Sequence, residues 1–295
     1  MPHTFPSVPF VLVLGIAQDG GVPHIGTSSS AWENPSERRL AASLGIVDPA
    51  SGERWVIEAT PDFREQLHRL DVVCESVGIG PGVPSGIAVT HAHIGHYPGL
   101  AFLGKEMMNT SGVPVMAMPG MRAFLEQNLP WKSLVKQANI QLCPLQANEP
   151  YPLNERLSLV PVPVPHRDEY SETVGFQIEG PHRSVLFIPD IDRWEDWDAW
   201  GVAIEDEIAR VDVALLDGTF YDERELPGRD MSRIPHPTVK SSMERFAALS
   251  SQSRRKIRFI HLNHSNPLLD PARAERTGVE RAGFGVADEL EIHEL

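Results

Sequence analysis

The sequence has 295 residues, of which 41% are hydrophobic and 22% are charged, a composition typical of a folded globular protein. The formal net charge of −14 argues against binding to a long nucleic acid, which requires clustered Lys and Arg. We therefore expect a small-molecule substrate. The two cysteines match neither a disulfide framework nor a CxxC metal site. The first residues carry no signal-peptide pattern and no membrane-length apolar run, so we expect a cytoplasmic protein without membrane contact.

Apolar runs rich in β-branched residues alternate with helical patterns along the chain. The predicted strands are Phe10–Ile16, Ala42–Val47, Trp55–Ala59, Gly86–Thr90, Val113–Met118, Leu157–Val164, Thr173–Ile178, Ser184–Ile188, Val211–Leu216, Ile257–Ile260 and Glu289–His293. The predicted helices are Pro61–Leu70, Pro98–Met108, Met121–Gln127, Trp194–Arg210, Thr238–Ala248 and Pro271–Arg281. This order predicts one layered α/β domain over residues 1–295, with two mixed sheets and helices outside them.

Five of the apolar runs end in a residue that can bind a metal or transfer a proton: His91, His166, Asp190, Asp217 and His261. Strand ends meet at one rim of a sheet, where loops present side chains into a cleft. We therefore expect these five side chains to lie close together. The long Asp217–Pro237 stretch, rich in charge, Gly and Pro, is predicted to be an active-site loop.

The densest group of candidate ligands is THAHIGHYPG, which contains His91, His93 and His96. Imidazole is the commonest neutral ligand of zinc and of similar ions. A tight loop can direct His91 and His93 to one ion and His96 to a second. We predict one or two zinc ions, although manganese or iron also suits such donors.

The segment THAHIGH resembles the HxHxDH signature of the metallo-β-lactamase superfamily, and His166, Asp190 and His261 follow in that family's order. The resemblance implies a four-layer αββα sandwich. It also implies a first metal site at His91, His93 and His166, a second at His96 and His261, and Asp190 as the bridge between them.

Within the superfamily, the segments GIAQDGGVPHIG, WVIEATPDFREQ, FIPDID, LLDGTFYD and HLNHSNP resemble the pyrroloquinoline quinone biosynthesis protein B family. That branch is similar to ribonuclease Z and to cyclic phosphodiesterases, in which a His on a late loop protonates the leaving group. The resemblance therefore implies that His236 is the general acid.

The sequence departs from the family pattern at two places. Gly95 stands where the signature has an aspartate that binds the second metal, and Gly95→Asp is therefore expected to strengthen that site. Thr27 and the Ser28–Ser30 run stand where the biosynthetic family carries a cysteine cluster for a structural zinc. The chain cannot form that cluster.

Several positions allow two interpretations. His264 could replace His261 as the second-metal ligand or orient it, with His261 the favoured ligand. Asp19 lies in a glycine-rich turn after the first predicted strand, and it could lie near the site or face solvent. Asp217 could contact a ligand or only end a strand, and Asp192 is predicted to be a turn or cap residue.

These features favour a metal-dependent hydrolase, in which an activated water attacks a small phosphodiester, ester or amide. His236 and Asp190 are the predicted catalytic residues. Iron-dependent oxygen chemistry is the alternative that the biosynthetic resemblance implies. A binding protein that has lost catalysis is a third possibility, and the oligomeric state stays open.

Overall fold

The strands of the computed structural model form two mixed seven-stranded sheets within the described residues, which are 6–28, 32–33, 38–231 and 234–295. Ser29 and Ser30 of the predicted serine run, and positions 232–233 of the predicted loop, lie outside those ranges. The first sheet contains β1 (Phe10–Gly15), β2 (Ser43–Asp48), β3 (Glu53–Ile57), β4 (Gly86–Ala88), β5 (Val113–Ala117), β6 (Ile140–Pro144) and β14 (Ile292–Glu294). The second contains β7 (Tyr151–Pro152), β8 (Ser158–Pro163), β9 (Val174–Glu179), β10 (Ser184–Ile188), β11 (Val213–Asp217), β12 (Ile257–Ile260) and β13 (Gly285–Val286).

Each sheet has an antiparallel half and a parallel half. The first sheet has the order β14-β1-β2-β3-β4-β5-β6 and is parallel from β3 onward. The second has the order β13-β12-β11-β10-β9-β8-β7 and is parallel from β10 to β13. Parallel neighbours direct their carboxyl ends to the same edge, so the polar residues that follow these strands share a rim.

Three hydrophobic clusters define the four layers. Along β1, Phe10 and Leu12 pack with the helices outside the first sheet, whereas Val11 and Val13 pack against the second sheet. Because both faces are covered, the strand is a continuous apolar run. A third cluster, which includes Trp194, lies between the second sheet and its outer helices. The predicted αββα sandwich is confirmed.

The helices lie outside the sheets. They are α1 (Phe63–Ser76), α2 (Pro119–Gln127), α3 (Trp131–Lys136), α4 (Trp194–Ala199), α5 (Ile204–Arg210), α6 (Val239–Arg245), α7 (Ser251–Lys256) and α8 (Ala274–Arg281). Short 3₁₀ helices cover Pro98–Leu103, Phe246–Ala248 and Pro267–Leu269. No helix in these described ranges has the length and apolarity needed to cross a membrane.

The structure corrects two of the predicted helices. The predicted helix Trp194–Arg210 is divided into α4 and α5, because Gly201 between them has a φ of 82°, which a right-handed helix does not allow. The predicted helix Pro98–Met108 is only a 3₁₀ helix that ends at Leu103. Every predicted strand overlaps an observed one, and the strands that were not predicted, β6, β7 and β13, lie at sheet edges.

Candidate metal centre

The loops that follow β4, β8, β10 and β12 bring the six predicted metal ligands together at one rim. In the described part of the chain they form overlapping groups whose donor atoms lie within 4.8 Å of one another: His91–His93–His166, Asp19–His96–His261 and His91–His96–Asp190. The predicted ligands therefore converge, and the structure adds Asp19 to them.

The first group consists of three imidazoles. Nε2 of His91 lies 2.9 Å from Nδ1 of His93, and Nε2 of His166 lies 3.2 Å from the same atom. A tetrahedral zinc ion with Zn–N bonds of about 2.0–2.1 Å separates its ligand nitrogens by about 3.3 Å. The spacing of the three nitrogens therefore fits one zinc-sized ion.

Asp190 lies between the first group and the second. Its Oδ1 is 3.9 Å from Nε2 of His166, whereas its Oδ2 is 3.3 Å from Nε2 of His96 and 3.6 Å from Nε2 of His261. The two oxygens thus face different imidazole groups. Asp190 would therefore be able to serve as a donor to an ion at either group.

The buried donor atoms of the second group lack hydrogen-bond partners. Oδ2 of Asp190, Nε2 of His96 and Nε2 of His261 are all buried and unpaired. A buried polar atom without a partner costs about 1–3 kcal/mol, so several such atoms facing one another require an explanation. A divalent cation would satisfy them together, and the donor set fits such an ion.

The outward nitrogens of three ligand imidazoles contact oxygens that fix the ring orientation. Nδ1 of His166 is 2.9 Å from Oδ1 of Asp192, and Nδ1 of His91 is 2.8 Å from Oγ1 of Thr90. Metal-bound histidines in proteins typically make this kind of contact. Asp192, predicted to be a turn or cap residue, lies at a bend and in addition contacts the ring of His166.

The hydroxyl of Thr219 determines which nitrogen of His261 carries the proton. Thr219 donates its hydroxyl proton to Asp217 at 2.7 Å, so it must accept from Nδ1 of His261 at 3.0 Å. In the neutral ring the lone pair therefore lies on Nε2, which faces Asp190 and Asp19. A ligand nitrogen needs this tautomer.

Burial and neighbouring charges shift the pKa values of three side chains in this centre, those of His96, His91 and Asp190. Burial alone would lower the pKa of His96, but Asp190 and Glu58 raise it well above its ordinary value. Burial and then the positive potential of His96 lower the pKa of His91 well below its ordinary value. Burial opposes ionisation of Asp190, yet the imidazoles of His261 and His96 lower its pKa. The lowered pKa favours the carboxylate form of Asp190.

His236 is held beside the site by Asp217. Its Nδ1 donates to Oδ2 of Asp217 at 2.7 Å, and its ring centre is 5.4 Å from that of His166. Burial lowers the pKa of His236, but the charge and hydrogen bond of Asp217 more than offset that effect, so the pKa is raised. Asp217 thus both ends β11 and orients a candidate acid.

Sequence reasoning missed Glu58. It follows β3, is fully buried, accepts from Thr90 N at 3.3 Å and has Oε1 3.5 Å from Nδ1 of His96. Glu58 ends the run WVIE, the same strand-end signal that identified the other five residues. Its φ is 74°, a backbone strain of a kind found at functional sites.

The space beside Gly95 is occupied by Asp19. A Cβ built on Gly95 would lie 1.9 Å from Oδ1 and 2.8 Å from the backbone Cα of Asp19. The expectation that Gly95→Asp adds a ligand is therefore wrong while Asp19 holds this position, because the new side chain has no room.

His264 does not join the second group. Its ring stacks on that of His24 at 4.6 Å, and both line a neighbouring cleft. Burial, followed by the charge of His24, lowers the pKa of His264. Within the described residues, the geometry therefore selects His261 as the candidate ligand.

An open cleft of about 510 Å³ leads to the donor groups. The ring of Tyr170 stands edge-on to that of His93 at 6.4 Å, and Phe124 and Arg167 line the cleft with them. His236 lines it as well. The cleft combines an aromatic wall, the cation of Arg167, the candidate acid and the carboxylates of Asp19, Glu169 and Asp190.

The comparisons with known proteins agree with this architecture. The model of the family described as the β-lactamase superfamily domain matches residues 53–262. The chain is similar to coenzyme PQQ synthesis protein B of Xanthomonas campestris pv. campestris, with 28% identity over 310 residues, 96% of this chain and 99% of that protein.

Two solved structures share the fold. Zn²⁺-bound PqqB from Methylobacterium extorquens has a TM-score of 0.78 and 24% identity, over 97% of this chain and 100% of that one. A diphosphatase from the PhnP family has a TM-score of 0.65 and 20% identity, over 97% of each chain. Since the family model covers more than half of the chain, this protein belongs to the β-lactamase superfamily domain family.

Proposed function

We propose that this protein is a metal-dependent hydrolase that directs a water molecule onto a small phosphodiester, ester or amide. The observation that carries the proposal is the position of Asp190, whose two oxygens face His166 on one side and His96 with His261 on the other. A divalent ion held by these residues would supply Lewis acidity for activating water and for offsetting negative charge in the transition state.

The chain's own residues supply the remaining functions. His236 has Nδ1 committed to Asp217, so Nε2 is the atom left to transfer a proton to the leaving group. Arg167 offers a positive charge to an anionic substrate in the cleft, and Tyr170 and Phe124 offer an apolar wall. The carboxylates of Asp19, Glu169 and Asp190 line the same cleft, so Arg167 suits one anionic group of a small substrate and not a long polyanion.

The fold neighbour described as a diphosphatase supports a phosphorus-centred substrate. Similarity to coenzyme PQQ synthesis protein B along 96% of the chain supports a role for the same centre in making a small molecule. Both similarities are compatible with the attack of a water molecule on a small ester.

A second candidate is oxygen chemistry at iron. Asp19, His96 and His261 are two imidazoles and one carboxylate, the donor set of many ferrous oxygenases. The two candidates differ in the metal that gives activity and in whether oxygen is consumed.

The experiment begins with protein stripped of metal by a chelator and then reloaded separately with Zn²⁺, Mn²⁺ or Fe²⁺. Hydrolysis of bis-p-nitrophenyl phosphate and p-nitrophenyl acetate and uptake of oxygen are measured in parallel. We expect hydrolysis that needs metal, is lost in Asp190→Asn and is kept in Asp198→Asn, which removes a carboxylate on α4 paired with Arg245 outside the cleft. Oxygen uptake with iron and no hydrolysis with any metal would favour the second candidate.

A further inference from the structure

The second donor group has a carboxylate, but the carboxylate does not come from the histidine-rich loop. Gly95 has no side chain, and the place that its Cβ would take is filled by Oδ1 of Asp19 at 1.9 Å and by Cγ at 2.7 Å. Asp19, which precedes Gly95 by 76 positions in the chain, thus occupies the space of the missing side chain.

The Asp19 carboxylate faces the unpaired nitrogens of the second group. Oδ1 lies 3.5 Å from Nε2 of His96 and 3.9 Å from Nε2 of His261. These imidazole side chains are only 3% and 1% exposed, and neither Nε2 has a hydrogen-bond partner. These two buried nitrogens face one carboxylate oxygen at distances longer than most hydrogen bonds, and a cation fits between the three atoms.

The backbone around Asp19 is tied to the strand end that presents His261. Gln18 N donates to the carbonyl of Leu262 at 2.8 Å, and Gly21 N donates to the carbonyl of Gln18 at 2.9 Å. Asp19 itself has a φ of 33°, which L-residues rarely adopt. These backbone hydrogen bonds therefore hold the loop that carries Asp19 beside the end of β12, where His261 lies.

We propose that Asp19 is a ligand of a second divalent cation, together with His96, His261 and Asp190, and that it replaces the carboxylate that Gly95 cannot supply. The inference rests on the proposed metal-dependent function. It adds a donor from a different loop, so the N-terminal turn becomes part of the metal centre.

The test is a titration of metal-free protein with Zn²⁺ alone, in competition with a chelating dye that reports each binding step. We expect two equivalents in the wild type. In Asp19→Asn the first step should keep its affinity and the second should weaken at least 10-fold, since even residues that only orient ligands contribute about 10–100-fold. Asp198→Asn, which removes a carboxylate outside the cleft, should leave both steps unchanged.

The double variant Asp19→Gly with Gly95→Asp moves the carboxylate back to the histidine-rich loop. Glycine at position 19 removes the contacts with Oδ1 and Cγ and adopts a positive φ without strain. The contact with the backbone Cα at 2.8 Å remains, so the loop has to shift by a few tenths of an ångström to admit the new side chain. Binding of a second equivalent of Zn²⁺ by the double variant supports the proposal. If Asp19→Asn does not fold, the titration of the double variant decides the question alone.

An unchanged second step in Asp19→Asn, loss of both steps together, or a single equivalent in the wild type would overturn the assignment of Asp19. Failure of the proposed function has a different signature. It would appear as two bound ions without turnover of any ester, since the titration counts ions and does not depend on activity.

Discussion

Nδ1 of His166 lies 2.9 Å from Oδ1 of Asp192, so a side chain outside the three candidate donor groups of the described residues fixes the orientation of a candidate ligand ring. The Asp192 carboxylate also accepts from the backbone N of Arg167 at 3.4 Å. The contact holds the proton on Nδ1 and leaves Nε2 of His166 free for the first ion.

Asp192→Asn should weaken Zn²⁺ binding at the first site by about 10–100-fold, because the amide no longer attracts the Nδ1 proton as a charged carboxylate does. Competition titration of metal-free protein measures the effect. Asp196→Asn, at an exposed position on α4, provides the control and should leave the affinity unchanged. Equal first-step affinities in wild type and Asp192→Asn would contradict the role of Asp192.

Gly95→Ala should destabilise the metal-free protein by about 1–3 kcal/mol, the usual cost of forcing extra atoms into a packed region. The added methyl overlaps both the carboxylate and the backbone Cα of Asp19. Gly278→Ala on α8 is the matched control, because its Cβ meets nothing within 4 Å, and alanine favours the helix by about 0.5–1 kcal/mol. Urea unfolding compares them, and equal stability of the two variants would contradict the close contact.

The strand ends illustrate what the sequence could predict about the site. The strand-end pattern identified His166 and Asp190 because an apolar run followed by a polar residue is a local signal. The same signal was present at Glu58 and could have been used. Asp19 could not be found in this way, because its role depends on the absence of a side chain at Gly95, which is distant in sequence.

The fold shows the same division between local and long-range information. Buried strands such as β1 were predicted because both faces are apolar. The edge strands β6, β7 and β13 have fewer partners and little apolar pattern. The division of the predicted helix Trp194–Arg210 depends on the positive φ of Gly201, and a composition-based pattern does not contain that information.

His293 on β14 gives a pH dependence that is separate from the metal centre. Its side chain is 10% exposed, and its Nε2 lies 3.4 Å from Oε1 of Glu291. Burial, followed by the charge of Arg258, lowers the pKa of His293 from 6.5 to about 4. His293 therefore binds a proton more readily in the unfolded chain than in the folded protein. The stability that neutral His293 contributes is therefore complete above about pH 6.5 and is lost as the pH falls toward 4, by up to about 3 kcal/mol.

His293→Asn cannot gain that proton, so its free energy of unfolding should fall less than that of wild type between pH 7.5 and pH 4.5. Urea unfolding at the two pH values measures the difference. His182→Asn, at an exposed turn position, should show the wild-type dependence. An identical loss of stability in wild type and His293→Asn would rule out a contribution of His293.

His236 lines the cleft and is held by Asp217, so it is placed to transfer a proton to a leaving group. General acid catalysis contributes about 10²–10⁴-fold, and it matters most when the leaving group is a poor one. His236→Ala should therefore lower kcat by that order on alkyl phosphodiesters or alkyl esters, and much less on p-nitrophenyl substrates. The metal content should stay unchanged, because His236 belongs to none of the three donor groups in the described residues.

Asp217→Asn tests the same acid through its partner. Asp217 Oδ2 accepts from His236 Nδ1 at 2.7 Å and from Ile191 N at 3.1 Å, and its Oδ1 accepts from Thr219 N. The amide keeps the shape but places its NH2 group against a backbone donor, so Asp217→Asn lowers stability as well as weakening the hold on the imidazole. If His236 transfers the proton, both variants should show a loss of kcat that grows with the pKa of the leaving group. If His236 only packs against α6 between Pro235 and Pro237, both should lose stability while the ratio of kcat to wild type stays flat across the series. A flat ratio in both variants therefore excludes the acid role, whereas a sloped ratio with full metal content supports it.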